Sequence, residues 1–281
     1  MKSDLACIPC AMVQALRAAS IGTEDPALFA EASRGVLEAA RNFDLGRSPA
    51  ANATLAVKAV CQAIGNEDPY LSIKRSQNEA ALRLEETARR TIDASPDRLA
   101  GALIVSCLGN VIDLGAQDSY DIEKEFASAS ELCFERSDLG EFLKQLRSAQ
   151  KILLLADNSG EILFDRMFLD ALPPTLVKTV AVKSGPIIND ATMCDALMVG
   201  LDRAARVIVT GGSELGVDLK SCSEELLEEL RKTDIVVAKG HANFETLNEE
   251  KMGIYFLLKA KCEVVARELG VETGSLVFAR Y

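Results

Sequence analysis

The sequence predicts an α/β protein in which a helical N-terminal domain packs on a Rossmann-like three-layer α/β/α domain with a mostly parallel sheet. Residues 1–147 show apolar residues at helical spacing and lack the β-branched runs that mark strands. From Lys151 onward, short apolar runs alternate with helical segments, which is the pattern of βαβ units whose parallel sheet is covered on both faces. We therefore predict two domains, residues 1–147 and residues 148–281.

Length and composition limit the classes of function. The 281 residues suffice for two domains with sizeable cores, and the net charge of −11 repels nucleic acid and anionic membranes at long range. Trp is absent and only 5% of the residues are aromatic, which disfavours a platform for stacked bases. No segment approaches the ~20 apolar residues of a membrane span, and no convincing secretory signal is present. We expect a cytoplasmic protein with neither nucleic-acid nor membrane partners.

Capping residues divide the N-terminal half into helices. Asp25-Pro26 and Ser48-Pro49 each place a capping side chain before a proline that suits the first helical turn. The predicted helices cover residues 9–20, 25–43, 48–65, 67–94 and 138–150, and another begins at residues 95–96. A break follows at residues 109–115, where glycine, Asn110 and Asp113 interrupt an apolar helix. This break is either a simple turn or a segment that closes a site from above.

Short apolar runs predict the strands of the second half. Lys151-Ile-Leu-Leu-Leu-Ala156 is typical of a buried parallel strand. Further strands are predicted over residues 176–182, 206–210, 234–238, 254–258 and 275–278, with helices over 160–172, 190–199 and 223–232. Open α/β sheets bind ligands outside the carboxyl ends of their strands. The residues that follow each strand are therefore the candidates for a functional site.

Oxygen ligands follow the first two predicted strands. Asp157 and Asn158 come directly after the first strand, and Asp190 lies in the loop after the second. Carboxylate and amide oxygens suit Mg²⁺, Mn²⁺ or a similar divalent ion, and a single histidine excludes a His-rich zinc site. The alternative is that Asp157 and Asp190 are only helix N-caps.

The later strand ends offer groups that can bind phosphate. Gly211 follows the third strand and can present backbone N–H groups, and Lys239 with Gly240 ends the fourth strand. Glu161 and Asp165 lie four residues apart on one helix face, and Glu161 can reach the metal site. The chain lacks Walker, dinucleotide-binding, cysteine-phosphatase and Gly-x-Ser-x-Gly motifs. If the protein is a hydrolase, a metal-activated water is therefore the expected nucleophile.

The cysteines leave alternatives open. Cys7-Ile-Pro-Cys10 is a redox pair, half of a metal site or an incidental structural feature. We expect most of the other cysteines to be buried small apolar residues; these are Cys107, Cys133, Cys194, Cys222 and Cys262. Because the chain is large and lacks a secretory signal, we expect free thiols rather than disulfides.

Five segments, in this order and spacing, resemble the damage-control phosphatase family. They are residues 1–10, Gly109-Asn-Val-Ile-Asp113, Asp157-Asn-Ser-Gly-Glu161, Asn189-Asp190 and Lys239-Gly-His-Ala-Asn-Phe-Glu245. The resemblance covers the whole chain, and the Cys-x-x-Cys start is similar to the prokaryotic branch. It implies a helical domain on a Rossmann-like domain, in agreement with the pattern of elements.

The resemblance also implies an activity and a set of site residues. Family members hydrolyse phosphate esters of sugars or phosphopantetheine-like compounds with one divalent ion, often Mn²⁺, Co²⁺ or Ni²⁺. The oxygen ligands predicted in this chain would also suit Mg²⁺. It implies metal ligation by Asp157, Asn158 and Asp190. The substrate contacts that it implies lie near the following side chains: Asn110, Glu161, Lys239 and Asn243. Two alternatives remain, a non-enzymatic metal or nucleotide sensor switched by Cys7 and Cys10, and a carboxyl methyltransferase, although no methyl-donor motif is recognisable.

Overall fold

The computed structural model of the chain describes residues 1–109 and 132–281. Helices follow one another in the first range: α1 (Cys7–Gly22), α2 (Pro26–Arg41), α3 (Pro49–Ile64), α4 (Leu71–Ala94) and α5 (Arg98–Gly109). Asp25 and Ser48 cap α2 and α3 as predicted, because each side chain accepts a hydrogen bond from a backbone N–H of the first turn.

Strands and helices alternate in the second range. The strands are β1 (Arg136–Ser137), β2 (Lys151–Leu155), β3 (Val177–Val182), β4 (Arg206–Val209), β5 (Ile235–Lys239), β6 (Tyr255–Lys259) and β7 (Leu276–Arg280). The helices are α6 (Leu139–Leu146), α7 (Glu161–Ala171), α8 (Met193–Met198), α9 (Glu224–Lys232), α10 (Gly240–Leu247) and α11 (Glu263–Leu269).

The strands form one sheet in the order β1-β7-β6-β5-β2-β3-β4. All neighbouring strands are parallel except β6 and β7, so the predicted mostly parallel sheet is confirmed. From β2 the chain builds outward through β3 to β4, and then returns to place β5 on the other side of β2. The carboxyl ends of β2 and β5 therefore flank the switch point, where open α/β sheets bind their ligands.

Helices cover both faces of the sheet. Along β2, Ile152 and Leu154 point into a core that they share with α4–α8, whereas Leu153 and Leu155 point into a second core shared with α9–α11. This alternation is the period of two expected for a strand that is buried on both faces. A third apolar cluster joins α1, α2 and α3 to Ile187 and Leu215, which lie in loops at the carboxyl edge of the sheet.

The structure corrects several details of the sequence prediction. Strand β1 lies in the half that we predicted to be a helical domain, just before the helix predicted over residues 138–150, and α10 and α11 had no predicted counterpart. Helix α8 begins at Met193 rather than at residue 190. The predicted burial of the cysteines is wrong at three positions, since Cys133, Cys194 and Cys262 are exposed, although all eight thiols are free as predicted. The division into domains 1–147 and 148–281 stays a prediction.

Candidate active site

The switch point brings the end of β2 against the start of α10. Asp157 follows β2, and Gly240 follows β5 with a positive φ of 77°. A Cβ atom at Gly240 would lie 1.9 Å from Asp157 Oδ2. Only glycine therefore lets the carboxylate of Asp157 lie directly against this turn of the backbone.

Backbone hydrogen bonds hold the loops after β2 and β3 side by side. Asn158 and Asp190 form an isolated antiparallel bridge, and the carbonyl of Asp157 accepts a 2.8 Å hydrogen bond from the N–H of Ala191. The N-caps of α7 and α8 are Gly160 and Thr192, so the alternative in which Asp157 and Asp190 are merely N-caps is wrong. The structure thus brings together the three residues predicted as metal ligands.

The side chains of these residues form a buried acidic cluster. Asp157 is 8% exposed and Asp190 2% exposed. The amide of Asn158 donates to Asp157 Oδ2 at 2.9 Å and to Glu161 Oε2 at 3.3 Å. Burial raises the pKa of Asp190, and the ammonium of Lys183, 3.5 Å from Asp190 Oδ2, opposes that rise. The cluster therefore concentrates carboxylates in a region of low dielectric, where a cation would stabilise them.

The chemistry of these groups fits a hard divalent cation. Asp190 Oδ2 is buried and accepts no hydrogen bond from the described residues, although the ammonium of Lys183 lies 3.5 Å away, so the oxygen retains a lone pair for a ligand. Within residues 1–109 and 132–281, no group of three or more His, Cys, Asp and Glu side chains is arranged to hold a metal ion. A site here consequently requires the amide of Asn158 as the third ligand, and its oxygen belongs to the type that Mg²⁺ and Mn²⁺ prefer.

Lys239 lies in a charged network beneath the cluster. Its ammonium is fully buried and donates to Glu161 Oε1 and Asp165 Oδ1, both at 2.5 Å, and to the carbonyl of Ser106 at 3.1 Å. Burial alone would lower the pKa of Lys239, but Asp165 and Glu161 outweigh it and the net pKa is raised. Lys239 is therefore charged, and this conformation uses all three of its donors. Its predicted contact with phosphate stays a prediction.

Asp165 completes this network rather than facing solvent. Its side chain is fully buried and accepts a 2.6 Å hydrogen bond from the hydroxyl of Ser106 as well as the ammonium of Lys239. Burial raises the pKa of Asp165, and Lys239 opposes that rise. Glu161 and Asp165, which the sequence places four residues apart on one helix face, are therefore both tied to the end of β5 by a single ammonium.

The other predicted substrate contacts differ in their surroundings. The amide of Asn243 donates to the carbonyls of Ala156 and Lys239 at 3.1 and 2.8 Å, so it joins the ends of β2 and β5. Gly211 has a φ of 98°, and its N–H donates to the hydroxyl of Ser184 at 2.6 Å. Asn110 lies outside the described residues. The roles of these residues in binding substrate stay predictions.

Comparisons with known proteins show which family the chain is similar to. A family model described as the damage-control phosphatase ARMT1-like domain matches residues 4–277. The damage-control phosphatase PH1575 of Pyrococcus horikoshii is 34% identical over 287 residues, which cover 100% of this chain and 98% of that protein. A damage-control phosphatase of Archaeoglobus fulgidus is 34% identical over 284 residues, 99% of this chain and 98% of that protein.

The chain belongs to the damage-control phosphatase family.

A solved structure supports the same assignment. The crystal structure of a DUF89 family protein from Pyrococcus horikoshii superimposes with a TM-score of 0.90 at 33% identity, covering 100% of this chain and 99% of that one. Membership in the damage-control phosphatase family supports a phosphatase role in metabolite repair. Among the helices of the described residues, none is both long and apolar enough to span a bilayer.

Helix α4 of this family member supplies site contacts that the sequence reasoning missed. Gln77 accepts a 2.9 Å hydrogen bond from the hydroxyl of Ser159, and Asn78 accepts a 2.6 Å bond from the N–H of Gly160. The sequence contains an indication of these contacts. Asn78 lies on the same helix face as the buried apolar residues of α4, and a polar side chain on such a face needs a hydrogen-bonding partner.

The sequence leaves three acidic residues as candidates for orienting a water, Glu161, Asp195 and Glu245, and the structure places them in different surroundings. The two oxygens of Asp195 accept hydrogen bonds from Asn78 and from Thr192, so Asp195 caps α8. Glu245 lies on α10, and burial raises its pKa to about 7 even though the N–H of Ala50 favours the charged form. Glu161 is the one of the three that contacts Asn158 directly.

The Cys-x-x-Cys motif forms the first turn of α1. Cys7 is buried and Cys10 is exposed, and burial raises the pKa of both thiols. A raised pKa keeps the thiols protonated near neutral pH, which lowers their nucleophilicity. These surroundings are therefore unlike those of a reactive redox cysteine.

His241 should make the stability of the protein sensitive to acid. Burial lowers its pKa to about 4 from 6.5, although the carbonyl of Lys259 favours the charged form. Between these values the unfolded chain binds the proton and the folded chain does not, so stability falls as pH falls from about 6.5 to 4. The unfolding free energy should fall by at most about 1.4 kcal/mol per pH unit, and the partial exposure of the His241 imidazole makes the loss smaller.

Urea denaturation of the wild type and His241→Gln at pH 7.5 and pH 5.0 measures this effect. The wild type should lose more unfolding free energy than the variant over this interval. Equal losses in the two proteins would show that His241 does not cause the acid sensitivity.

Proposed function

We propose that the protein is a metal-dependent phosphomonoesterase that hydrolyses small phosphorylated metabolites, either sugar phosphates or phosphopantetheine-like compounds, and that it acts in cytoplasmic metabolite damage control. The observation that carries the proposal is the convergence of Asp157, Asn158 and Asp190 at the switch point of the sheet, with Asp190 Oδ2 lacking a hydrogen bond from the described residues. Family membership supports the phosphatase part of it.

The proposed cation site uses Asp157, Asn158 and Asp190 to hold one Mg²⁺, Mn²⁺, Co²⁺ or Ni²⁺ ion. Such an ion supplies Lewis-acid activation of the phosphoryl group and a more acidic water. The Asn158 amide now donates to two carboxylates, and a half-turn of the amide exchanges its nitrogen for an oxygen that accepts instead. The same side chain can therefore either donate to the carboxylates or offer an oxygen to a cation.

The surrounding residues have distinct proposed roles. Lys239 fixes the position of Glu161, whose second oxygen lies beside Asn158 and can accept a proton from an attacking water. Backbone N–H groups near Gly211 and Gly240, together with Asn110 and Asn243, would contact the substrate. Most of the rate enhancement would come from positioning and electrostatic stabilisation of the charge on the transferring phosphoryl group.

The test is phosphate release by metal-stripped protein from p-nitrophenyl phosphate and from a panel of sugar phosphates and phosphopantetheine. Mg²⁺, Mn²⁺, Co²⁺ and Ni²⁺ are added back singly. We expect no turnover without metal and restoration by at least one ion. Full activity that persists in excess chelator would contradict metal dependence, and silence with every ion and substrate would contradict the phosphatase assignment.

A further inference from the structure

A buried lysine lies directly beside one of the proposed metal ligands. Lys183 is the first residue after β3 and is 3% exposed, and its ammonium lies 3.5 Å from Asp190 Oδ2. This is the same carboxylate oxygen that accepts no hydrogen bond from the described residues and that the proposed function offers to a cation. An ammonium and a divalent cation therefore compete for one oxygen atom.

Backbone hydrogen bonds bring Lys183 and Asp190 together. The N–H of Lys183 donates to the carbonyl of Ala191 at 2.8 Å, and Lys183 forms an isolated parallel bridge with Thr192. The loop after β3 thus turns back on its own beginning, and this turn places the carboxylate beside the lysine. Because main-chain bonds hold the loop, it should keep its shape when the ammonium is removed.

The ammonium of Lys183 has a second acceptor that does not depend on the carboxylate. It donates to the carbonyl of Gly216, in the loop after β4. Gly216 has a φ of 72°, and a Cβ atom there would lie 2.3 Å from the carbonyl oxygen of Ala242 on α10. The N–H of Val217 donates to the hydroxyl of Thr246 on the same helix at 3.1 Å. The loop that carries this acceptor is therefore fixed against α10.

The charge of Lys183 has opposite effects on the metal-free and the metal-bound protein. Asp190 is 2% exposed, and a carboxylate at that depth is costly unless a positive charge lies beside it. When no cation is bound, Lys183 supplies that charge. When a cation binds Asp190 Oδ2, the ammonium becomes a like charge in a buried region, where Coulomb repulsion is only weakly screened.

We propose that Lys183 is the internal counter-ion of the cation site: its ammonium takes the place of the metal beside Asp190, gives up that carboxylate when a divalent cation binds, and stays on the carbonyl of Gly216. This inference rests on the proposed function. Such a lysine allows the chain to fold without metal. It also keeps the affinity for the cation below what the carboxylates alone would give, so that the ion can exchange.

A purely structural role for Lys183 makes a different prediction. In that case the lysine only fastens the loop after β3 to the loop after β4 through Gly216. Its loss would then lower stability by the same amount with and without metal, and the affinity for the cation would not rise. The two roles are separated by measuring metal affinity and stability in the same variants.

The experiment titrates metal-stripped protein with Mn²⁺ at pH 8.0 and follows the free ion by electron paramagnetic resonance, for the wild type, Lys183→Met and Lys183→Gln. Both variants remove the charge, so we expect Mn²⁺ to bind at least ~10-fold more tightly, as Coulomb's law requires for a like charge near the ligand oxygen. The metal-free variants should melt at a lower temperature than the wild type, and saturating Mn²⁺ should narrow that gap.

Lys178→Met is the matched control. Lys178 is a partly buried lysine at the opposite end of β3, where its ammonium donates to the carbonyl of Leu169. The same chemical change therefore occurs on the same strand but away from Asp190. It should leave the affinity for Mn²⁺ within about twofold of the wild type, as expected for a change worth less than ~0.5 kcal/mol.

The glutamine variant protects the test against misfolding of Lys183→Met, because glutamine keeps an N–H donor for the carbonyl of Gly216. Unchanged or weaker Mn²⁺ binding in a folded Lys183→Met or Lys183→Gln variant would overturn the proposal. If the wild type binds Mn²⁺ in that case, the proposed cation site remains intact. If the wild type binds no Mn²⁺, the cation site of the proposed function fails, and this inference fails with it.

Discussion

Asp157→Asn should lower kcat/KM by at least ~100-fold while leaving the fold intact, because it removes one of the two carboxylate charges at the proposed cation site. The replacement is nearly isosteric. The main-chain carbonyl of Asp157 keeps its hydrogen bond to Ala191, so the loop after β2 should stay in place. Steady-state phosphate release at saturating metal, with circular dichroism of the same samples, measures both parts of the expectation.

The control for this substitution is Asp170→Asn. Asp170 is an exposed residue of α7, so the same chemical change occurs away from the acidic cluster. It should leave kcat/KM within about twofold of the wild type, as expected for a surface substitution worth less than ~0.5 kcal/mol. Wild-type turnover by a folded Asp157→Asn variant would remove the residue from the proposed mechanism.

Gly240→Ala should be almost as damaging, although it changes no charged group. The added Cβ would lie 1.9 Å from Asp157 Oδ2, so the carboxylate must move, and the φ of 77° disfavours alanine in any case. Displacement of a catalytic group by about 1 Å can cost ~100-fold in rate. The expected result is a comparable loss of kcat/KM with a lower affinity for the metal.

Gly270→Ala separates the steric effect from the backbone strain. Gly270 ends α11 with a φ of 70°, and a Cβ there would meet no atom within 4 Å. This variant should lose about 1–2 kcal/mol of stability from the left-handed conformation and retain its activity. If Gly240→Ala also retains activity, the close approach of Gly240 to Asp157 does not matter for catalysis.

The parts of the fold that sequence patterns predict are those in which local preference and burial agree. The run Lys151–Leu155 is apolar on both faces and becomes the buried strand β2, and Asp25 with Pro26 begins α2 as its capping preference requires. Strand β1 has only two residues and exists through its pairing with β7, so no local pattern marks it. Helix α10 begins with polar residues and glycine, which are typical of a loop.

Part of the candidate site could also be predicted from the sequence, and part could not. Proximity of Asp157 and Asp190 follows from the rule that ligands bind at the carboxyl ends of parallel strands. The ion network could not be predicted, because the partners of Lys239 depend on how α7 and α5 pack beside β5. Asn78 was missed for the same reason, since its contacts with Gly160 and Asp195 join elements that are distant in sequence.

Direct binding of Mn²⁺ tests the central claim that Asp157, Asn158 and Asp190 hold a catalytic cation. Metal-stripped protein is titrated with Mn²⁺, and the free ion is followed by its electron paramagnetic resonance signal, for the wild type, Asp157→Asn and Asp190→Asn. We expect one site per chain in the wild type and a loss of affinity of at least ~10-fold in each variant, since a charged ligand is removed. Undiminished binding in both variants would contradict it.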